Sequence, residues 1–141
     1  MKAEVKATSK NDTKVEVDIR GHSLVIDEPE QHGGSDDGPN PVEYELASLT
    51  GCLNVVANVV AQQRDVEIKS MELNASGELD PEKFQKGTGD ERAGFQMINV
   101  EIDIETDVSR EEEAELIEEV ERRCPVSDNL SNQTPVSVEL N

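Results

Sequence analysis

The sequence predicts one domain that combines antiparallel β-strands with two α-helices and a short third helix. Three observations carry this prediction. Alternating apolar and polar residues mark short strands within residues 3–29, an apolar stripe at helical spacing occupies residues 41–64, and two further alternating segments precede a one-sided helix after Ser109. A length of 141 residues suits one domain with its own core, and we assign residues 1–141 to it.

The N-terminal segments predict a meander of three antiparallel strands. Residues 3–9 and 14–20 each alternate, and Asn11-Asp12 between them is a turn signal. Gly21 interrupts the pattern before a third strand over residues 22–29. Because polar residues occupy every second position, one face of this sheet is expected to face water.

The longest helix pattern follows a glycine-rich loop over residues 30–40. Asn40 is suited to cap the helix, Pro41 is tolerated at its first position, and Glu43 completes a capping box. An apolar stripe then runs as far as Arg64: Val42, Leu46, Leu49, Leu53, Val56 and Val60, with Val55 and Val59 beside it. We expect this helix to be largely buried.

The C-terminal half predicts a strand pair. Residues 66–79 alternate with a change of phase that a bulge near Ser70 would explain, and residues 98–104 mark the clearest strand. These two strands should pair. The charged, glycine-rich residues 80–94 between them are expected to form a mobile excursion.

A second helix and a last strand complete the predicted elements. Ser109 and Glu112 form another capping-box pattern ahead of an apolar face. Cys124 is expected to cap a short further helix through Leu130, and residues 134–140 alternate as a final strand.

The composition is strongly acidic. Thirty-two acidic against thirteen basic residues give a net charge of −19, spread over the chain, which disfavours nucleic acid and anionic membranes as partners. A uniformly acidic surface indicates an extreme halophile, because concentrated salt screens the self-repulsion. With 34% apolar residues and three aromatic ones, the core should consist of aliphatic side chains, and a large dimer interface would help to complete it.

The sequence also predicts a compartment. We expect no secretory segment and no apolar run of about 20 residues that would span a bilayer, and therefore a cytoplasmic protein without a membrane partner. Two cysteines, Cys52 and Cys124, are too few for a secreted disulfide framework. In a reducing compartment, two such cysteines are either unreactive core residues or residues that take part in a redox reaction.

Cys52 is the first candidate nucleophile. A cysteine inside a helix is most often a small apolar core residue. To react, its thiolate needs a cation brought by tertiary contact, because the middle of a helix gains little from the helix dipole. Arg20, at the end of a strand, is the arginine that we expect to point inward. Glu43 could orient that cation, although its capping role is an equally good interpretation.

Cys124 is the second candidate. At a helix N-terminus beside Arg122 and Arg123, its pKa is expected to be lowered, because free amides and guanidinium groups favour a thiolate. If Cys124 lies near Cys52, the two can form a disulfide after oxidation, but sequence alone leaves open whether they meet or whether Cys124 is only a buried cap.

Other motifs are uninformative. His22 and His32 lack partners at metal-ligand spacing and are interpreted as surface residues. The segment GGSDDGPNP lacks the lysine and spacing of a phosphate-binding loop. No metal and no organic cofactor is therefore predicted.

The residues nevertheless resemble a known family. The run DEP, then GGSDDGPNPVEYELASLTGC with its valine-rich helix, and the later CPVSDNL before a final strand, resemble the OsmC/Ohr family of osmotically induced and organic hydroperoxide resistance proteins. The likeness covers nearly the whole chain in element order. It implies an α+β, OsmC-like fold in which antiparallel sheets wrap around long central helices in an intertwined homodimer, with active sites at the dimer interface.

The resemblance also implies site residues. In that family a helix cysteine attacks a hydroperoxide, a second cysteine resolves the sulfenic acid, and an Arg–Glu pair tunes the first thiol. Cys52 and Cys124 match the two cysteines. Glu43 and Arg20 match the pair less closely, since the family's glutamate usually follows the proline directly, where this chain has Val42.

Two functions from different classes follow. The first is a thiol-dependent peroxidase that reduces organic hydroperoxides through Cys52 and Cys124, with Arg20 and Glu43 supporting the thiolate and a lipoyl-type or small dithiol as reductant. The second is a non-catalytic OsmC-like module, in which Cys52 is core and a cleft at the loop binds a small apolar ligand or a partner protein.

Overall fold

The computed structural model describes residues 1–140. It divides into two compact units, residues 1–45 and the remainder of the chain from Leu46. Each unit has its own antiparallel sheet, and helix α1 begins in the first unit and continues in the second.

The sheet of the first unit confirms the predicted meander. Its antiparallel strands, in the order β1-β2-β3, are β1 Lys6–Ser9, β2 Val15–Ile19 and β3 His22–Ile26. Val17 is buried, whereas Glu16 and Asp18 on either side of it are exposed, as strand alternation requires. A 3-10 turn over Glu30–His32 lies within the predicted loop.

Helix α1, Pro41–Gln63, begins and ends as predicted. The backbone N–H of Glu43 donates to Asn40 Oδ1 at 2.9 Å, and the N–H of Asn40 donates to Glu43 Oε2 at 2.8 Å, which is the reciprocal capping box. The predicted stripe supplies the buried face, but Val55 and Val59 remain 61% and 40% exposed in the single chain. The expectation of a largely buried helix is therefore wrong for this face of α1.

The sheet of the second unit consists of two long antiparallel strands, β4 Ile68–Glu78 and β5 Met97–Thr106. The pairing register shifts between Ile68 and Ser70, which confirms the predicted bulge. Between the strands, Glu82–Lys86 forms a short helix, α2. Sequence patterning missed α2 because five residues are too few to show a helical period.

Helices α3, Arg110–Arg123, and α4, Pro125–Ser131, follow. Ser109 and Glu112 form the predicted capping box of α3, and Cys124 ends α3 and caps α4. Residues 134–140, predicted as a final strand, form no regular element, and their side chains are exposed. An alternating pattern becomes a strand only where another strand accepts its hydrogen bonds, and within the described residues none does.

The core of the second unit joins α1 to α3. Its fully or nearly fully buried members are aliphatic side chains and one thiol: Leu49, Leu53, Ala57, Val60, Ala61, Leu116, Val120 and Cys124. Partly buried residues of β4 and β5 pack against this cluster, including Met71, Leu73, Ile98 and Val100. The core is therefore aliphatic, as the composition predicted.

By length and composition alone, α1 is apolar enough to cross a membrane. Only 28% of its most apolar stretch is buried within the chain. The expectation that no apolar stretch reaches this length is wrong for α1. The core helix of a globular protein passes the same test, and Leu49, Leu53 and Val60 of α1 lie in one buried cluster with Leu116 and Val120 of α3.

Candidate thiol site

Cys52 lies halfway along α1, at the edge of the buried stripe. It is half-buried and packs against the cluster that contains Leu49 and Leu53, one turn and one residue away respectively. The thiol is therefore held by the core and still has solvent-accessible surface. This is the position that the spacing of the stripe predicted.

Cys124 is fully buried, with 0% exposure, at the junction of α3 and α4. The backbone N–H of Ser127 donates to Cys124 Sγ at 3.4 Å, so the sulfur acts as the N-cap acceptor of α4. Pro125 occupies the first helical position, as predicted. The chain thus turns from α3 into α4 around a sulfur atom.

The two thiols are neighbours in the core. Cys52 packs against the buried cluster that contains Cys124, and the two free thiols lie close enough for Cys52 to raise the pKa of Cys124. Seventy-one intervening residues give no local signal of this proximity, which depends on how α1 packs against α3 and α4. The structure brings together the two cysteines singled out in the sequence.

The environment of Cys124 raises the pKa of its thiol. Burial is the largest cause, and the neighbouring Cys52 thiol adds to it, whereas the N–H groups of Ser127 and Val126 act in the opposite direction. The predicted lowering of this pKa is therefore wrong. The Arg123 guanidinium, which was expected to stabilise the Cys124 thiolate, donates instead to Glu119 and Gln63.

Arg20 and Glu43 both lie in the first unit. Arg20 is exposed in the turn between β2 and β3, with a left-handed φ of 56°. Glu43 is exposed in the first turn of α1, where its carboxylate accepts the Asn40 N–H. The capping interpretation of Glu43 is confirmed, and within residues 1–140 no ion pair joins it to Arg20. Their roles at the thiol stay predictions.

Sequence reasoning missed Asp27, which organises the glycine-rich loop. Its side chain is 0% exposed and accepts hydrogen bonds from Thr13 Oγ1 at 2.8 Å and from the backbone N–H groups of Glu28, Ser35 and Asp37 at 2.9, 3.2 and 3.2 Å. Burial alone would raise the pKa of Asp27, but these four hydrogen bonds outweigh it and lower the pKa to about 2.

Glycines let the loop fold closely around Asp27. A Cβ atom on Gly34 would lie 1.8 Å from the carbonyl oxygen of Glu28, and one on Gly38 would lie 2.3 Å from that of Val25. Lys14 forms an ion pair with Asp37 on the outside of the loop. The sequence signal was available in DEP: an aspartate that ends an apolar strand, ahead of a glycine-rich segment with many unpaired N–H groups.

A groove of about 400 Å³ lies between β5 and α3 in the second unit. Its apolar lining is Val100, Ile102, Ile104, Ala114 and Ile117. Its charged lining is Arg110, Glu113, Glu118 and Glu121. An ion pair of 3.0 Å joins Arg110 to Glu113, and Glu113 also accepts a hydrogen bond from Thr106.

The histidines and acidic residues form no metal centre in the described part of the chain. Among residues 1–140, no group of three or more His, Cys, Asp or Glu side chains is arranged to hold a metal ion. His22 is exposed, and His32 Nδ1 lies 3.7 Å from Glu28 Oε2 on the surface.

The fold and the site define a class: an α+β protein in which a thiol on a long helix lies close to a second thiol at a helix junction. The family model described as OsmC-like protein matches residues 34–139, which is more than half of the chain. The chain therefore belongs to the OsmC-like protein family. No curated protein sequence matches it at a significant level.

Solved structures agree with this assignment. An OsmC-like protein from Mycoplasma pneumoniae is similar with a TM-score of 0.80 at 23% identity, over 93% of this chain and 88% of that one. An organic hydroperoxide resistance protein, OsmC, from Legionella pneumophila is similar with a TM-score of 0.68 at 20% identity, over 92% of this chain and 89% of that one. The organic hydroperoxide resistance protein OhrB of Bacillus subtilis is similar with a TM-score of 0.59 at 24% identity, over 91% of this chain and 89% of that one. At these identities the likeness establishes the fold.

Proposed function

We propose that this protein is a cysteine-based hydroperoxide reductase. The observation that carries the proposal is the proximity of the half-buried Cys52 thiol and the buried Cys124 thiol within one core cluster. Two structurally similar proteins are named for organic hydroperoxide resistance, which supports an organic hydroperoxide as substrate. No metal or organic cofactor enters the proposed reaction.

The first step uses Cys52, the more exposed sulfur. Its thiolate attacks one peroxide oxygen, so that an S–O bond forms, the O–O bond breaks, and the leaving alkoxide takes up a proton as an alcohol. Cys52 is thereby oxidised to a sulfenic acid. Arg20 is the proposed cation that stabilises the thiolate, and Glu43 the carboxylate that orients it, as the family resemblance implies.

The second step uses Cys124. Its sulfur attacks the sulfenic sulfur, the S–S bond forms, and the hydroxyl leaves as water with the thiol proton. Because burial raises the pKa of Cys124, this residue remains a thiol and does not compete for peroxide. A dithiol reductant, lipoyl-type or a small thiol, then returns two electrons and releases both cysteines.

Peroxide treatment of the folded protein tests this sequence of steps. One equivalent of cumene hydroperoxide should convert both thiols into a single Cys52–Cys124 disulfide, which is detected as the loss of two hydrogens by mass spectrometry. Added dihydrolipoamide or dithiothreitol should then sustain peroxide consumption. A protein that keeps both thiols under these conditions would refute the proposal.

The alternative is a non-catalytic module. The observation in its favour is the groove between β5 and α3, whose five apolar lining residues could hold the apolar part of a small ligand, whereas the sequence placed such a cleft at the glycine-rich loop. A thiol titration separates the two functions. If Cys52 resists both peroxide and alkylating agents in the folded protein while an apolar probe binds the groove, the module is the correct function.

The proposal includes a homodimer. Val55 and Val59, one turn apart, expose an apolar face on α1 that a second copy would cover. We expect light scattering to give twice the 15.5 kDa of the chain, and Val55→Asp with Val59→Asp to give the monomer. Asn54→Asp with Asn58→Asp adds the same charge to neighbouring exposed positions of α1 and should leave the dimer intact. A dimeric valine double variant would show that the interface lies elsewhere.

A halophilic, cytoplasmic setting is the final element of the proposal. Raising KCl from about 0.1 M to 1 M shortens the Debye length from about 10 Å to 3 Å and screens the repulsion among charges that sum to −19. The melting temperature should therefore rise by roughly 10 °C, as followed by circular dichroism. Sucrose at equal osmolarity stabilises proteins by exclusion from their surface without screening charge, so the rise that it causes is measured separately and subtracted. A melting temperature that is unchanged or lower in 1 M KCl would exclude the adaptation.

A further inference from the structure

A cluster of charged side chains joins the C-terminal ends of α1 and α3. Arg64 Nε, just after α1, donates to Glu119 Oε2 of α3 at 3.0 Å, and its Nη2 donates to the same oxygen. Arg123 Nη1 donates to Glu119 Oε1 at 2.9 Å and to Gln63 Oε1 at 2.8 Å. One carboxylate thus holds two guanidinium groups from different elements, and we call these four residues the Glu119 clamp.

The clamp is more than an ordinary surface ion pair. The Glu119 side chain is only 21% exposed, and each arginine side chain is 36% exposed, so solvent screens the charges only in part. Hydrogen bonds from Arg123 and then Arg64 lower the pKa of Glu119 and outweigh the effect of its burial. The carboxylate therefore stays ionised and bound on both sides at neutral pH.

The clamp joins the two segments that carry the thiols: its α1 arm is Gln63 and Arg64 at the end of α1, and its α3 arm is Glu119 and Arg123. Cys52 and Gln63 are both in α1, and Cys124 directly follows Arg123 at the end of α3. Val60 of α1 and the buried face of α3 also belong to one apolar cluster. Apolar packing has no preferred direction, whereas the clamp links the ends of the two helices through charged hydrogen bonds of defined geometry.

We infer that Glu119 is a positioning residue for the Cys52–Cys124 disulfide, because its clamp holds the ends of α1 and α3 in the register that keeps the two thiols close together. The inference rests on the proposed function, in which this disulfide is the resolving step. A disulfide requires that the two Cα atoms lie about 4.4–6.8 Å apart. The width of this range is smaller than the roughly 5.4 Å by which a helix rises in one turn. A small slip between the helices therefore removes the disulfide geometry and leaves most of the core intact.

A redox titration of the intact protein tests Glu119→Gln, which keeps the shape of the side chain and removes its charge. In mixtures of reduced and oxidised glutathione, the two cysteines become one disulfide while one glutathione disulfide becomes two glutathione thiols. The disulfide fraction gives the equilibrium constant. We expect this constant to fall about tenfold in Glu119→Gln, which corresponds to about 30 mV. Arg64→Gln, which removes the charge of the α1 arm, should shift it in the same direction.

Two control variants separate positioning from loss of stability. Glu118→Gln removes a neighbouring exposed charge of α3 and should leave the equilibrium constant unchanged. Ser109→Ala removes the cap at the opposite end of α3 and should lower the melting temperature without shifting the constant. If Glu119→Gln fails to fold, Arg64→Gln carries the comparison, because it leaves Arg123 bound to Glu119.

The outcomes distinguish this inference from the proposed function. An equilibrium constant in Glu119→Gln and Arg64→Gln equal to that of the wild type would overturn the role of Glu119 alone. A wild-type protein that forms the disulfide in glutathione but does not consume peroxide would overturn the proposed peroxidase alone. If the wild type forms no Cys52–Cys124 disulfide, the resolving step and the role of Glu119 are both wrong.

Discussion

Replacing Cys52 with serine is expected to lower hydroperoxide turnover by about three orders of magnitude, to the level of the reductant alone. A serine hydroxyl is not ionised at neutral pH and cannot accept an oxygen atom from the peroxide to form a sulfenic acid. The substitution changes one half-buried atom at the edge of the α1 stripe, so the fold should persist. Consumption of cumene hydroperoxide with dihydrolipoamide measures the effect.

Cys124→Ser is the matched variant, because a hydroxyl can still accept the Ser127 N–H at the start of α4. It should retain the first attack and fail in repeated turnover, with Cys52 accumulating as sulfenic and then sulfinic acid. The two variants thus assign attack and resolution to different sulfurs. Unchanged turnover in Cys52→Ser would rule out the mechanism, and unchanged turnover in Cys124→Ser would rule out the resolving role.

Replacing Asp27 with asparagine is expected to lower the melting temperature by roughly 5–10 °C at neutral pH. The variant loses the negative charge that accepts the Thr13 hydroxyl and the backbone N–H groups of Glu28, Ser35 and Asp37. Its amide nitrogen would also face donors instead of acceptors. Circular dichroism follows unfolding. Asp36→Asn, at an exposed position of the same loop, is the control and should leave the melting temperature nearly unchanged.

The acid dependence of stability is a second measure of Asp27. Its pKa falls from 3.8 to about 2 on folding, so the folded state favours the ionised form. The stability that Asp27 contributes is therefore complete above pH 4 and is lost as the pH falls through about 2. Asp27→Asn should show a smaller loss of stability over this interval. Identical acid profiles for both proteins would contradict the assigned hydrogen bonds.

Most of the secondary structure was predictable because its signals are local. The Asn40–Glu43 and Ser109–Glu112 capping boxes each place partners three residues apart, and the structure contains both. The phase change that indicated a bulge near Ser70 is likewise visible within a few residues. Such patterns depend on backbone geometry that repeats every turn or every second residue.

The errors arose where the outcome depends on distant groups. Residues 134–140 alternate as a strand does, but a strand also needs a neighbour to accept its hydrogen bonds. The flanking arginines predicted a lowered pKa for Cys124, but Glu119 binds Arg123, and burial dominates at the sulfur. Charges close in sequence influence a group only if the fold brings them to it.

The candidate site likewise has features that the sequence predicted and features that it did not. The helical position of Cys52 followed from the spacing of apolar residues, and the family resemblance selected both cysteines. Asp27 was overlooked because its donors come from Thr13 and from a loop whose course no periodicity describes. The clamp around Glu119 was equally invisible, since its arginines lie 55 residues before it and four after it.

The sequence by itself determined the order and type of most elements, the helical position of Cys52, the capping role of Cys124 and the strongly acidic surface. These features depend on hydrogen bonds and apolar periods that span a few residues. Only the tertiary structure decided that the two sulfurs meet, that Cys124 has a raised pKa, and that Asp27 is buried within its loop. Each of these depends on desolvation and on contacts between residues far apart in the chain, whose distances no local rule specifies.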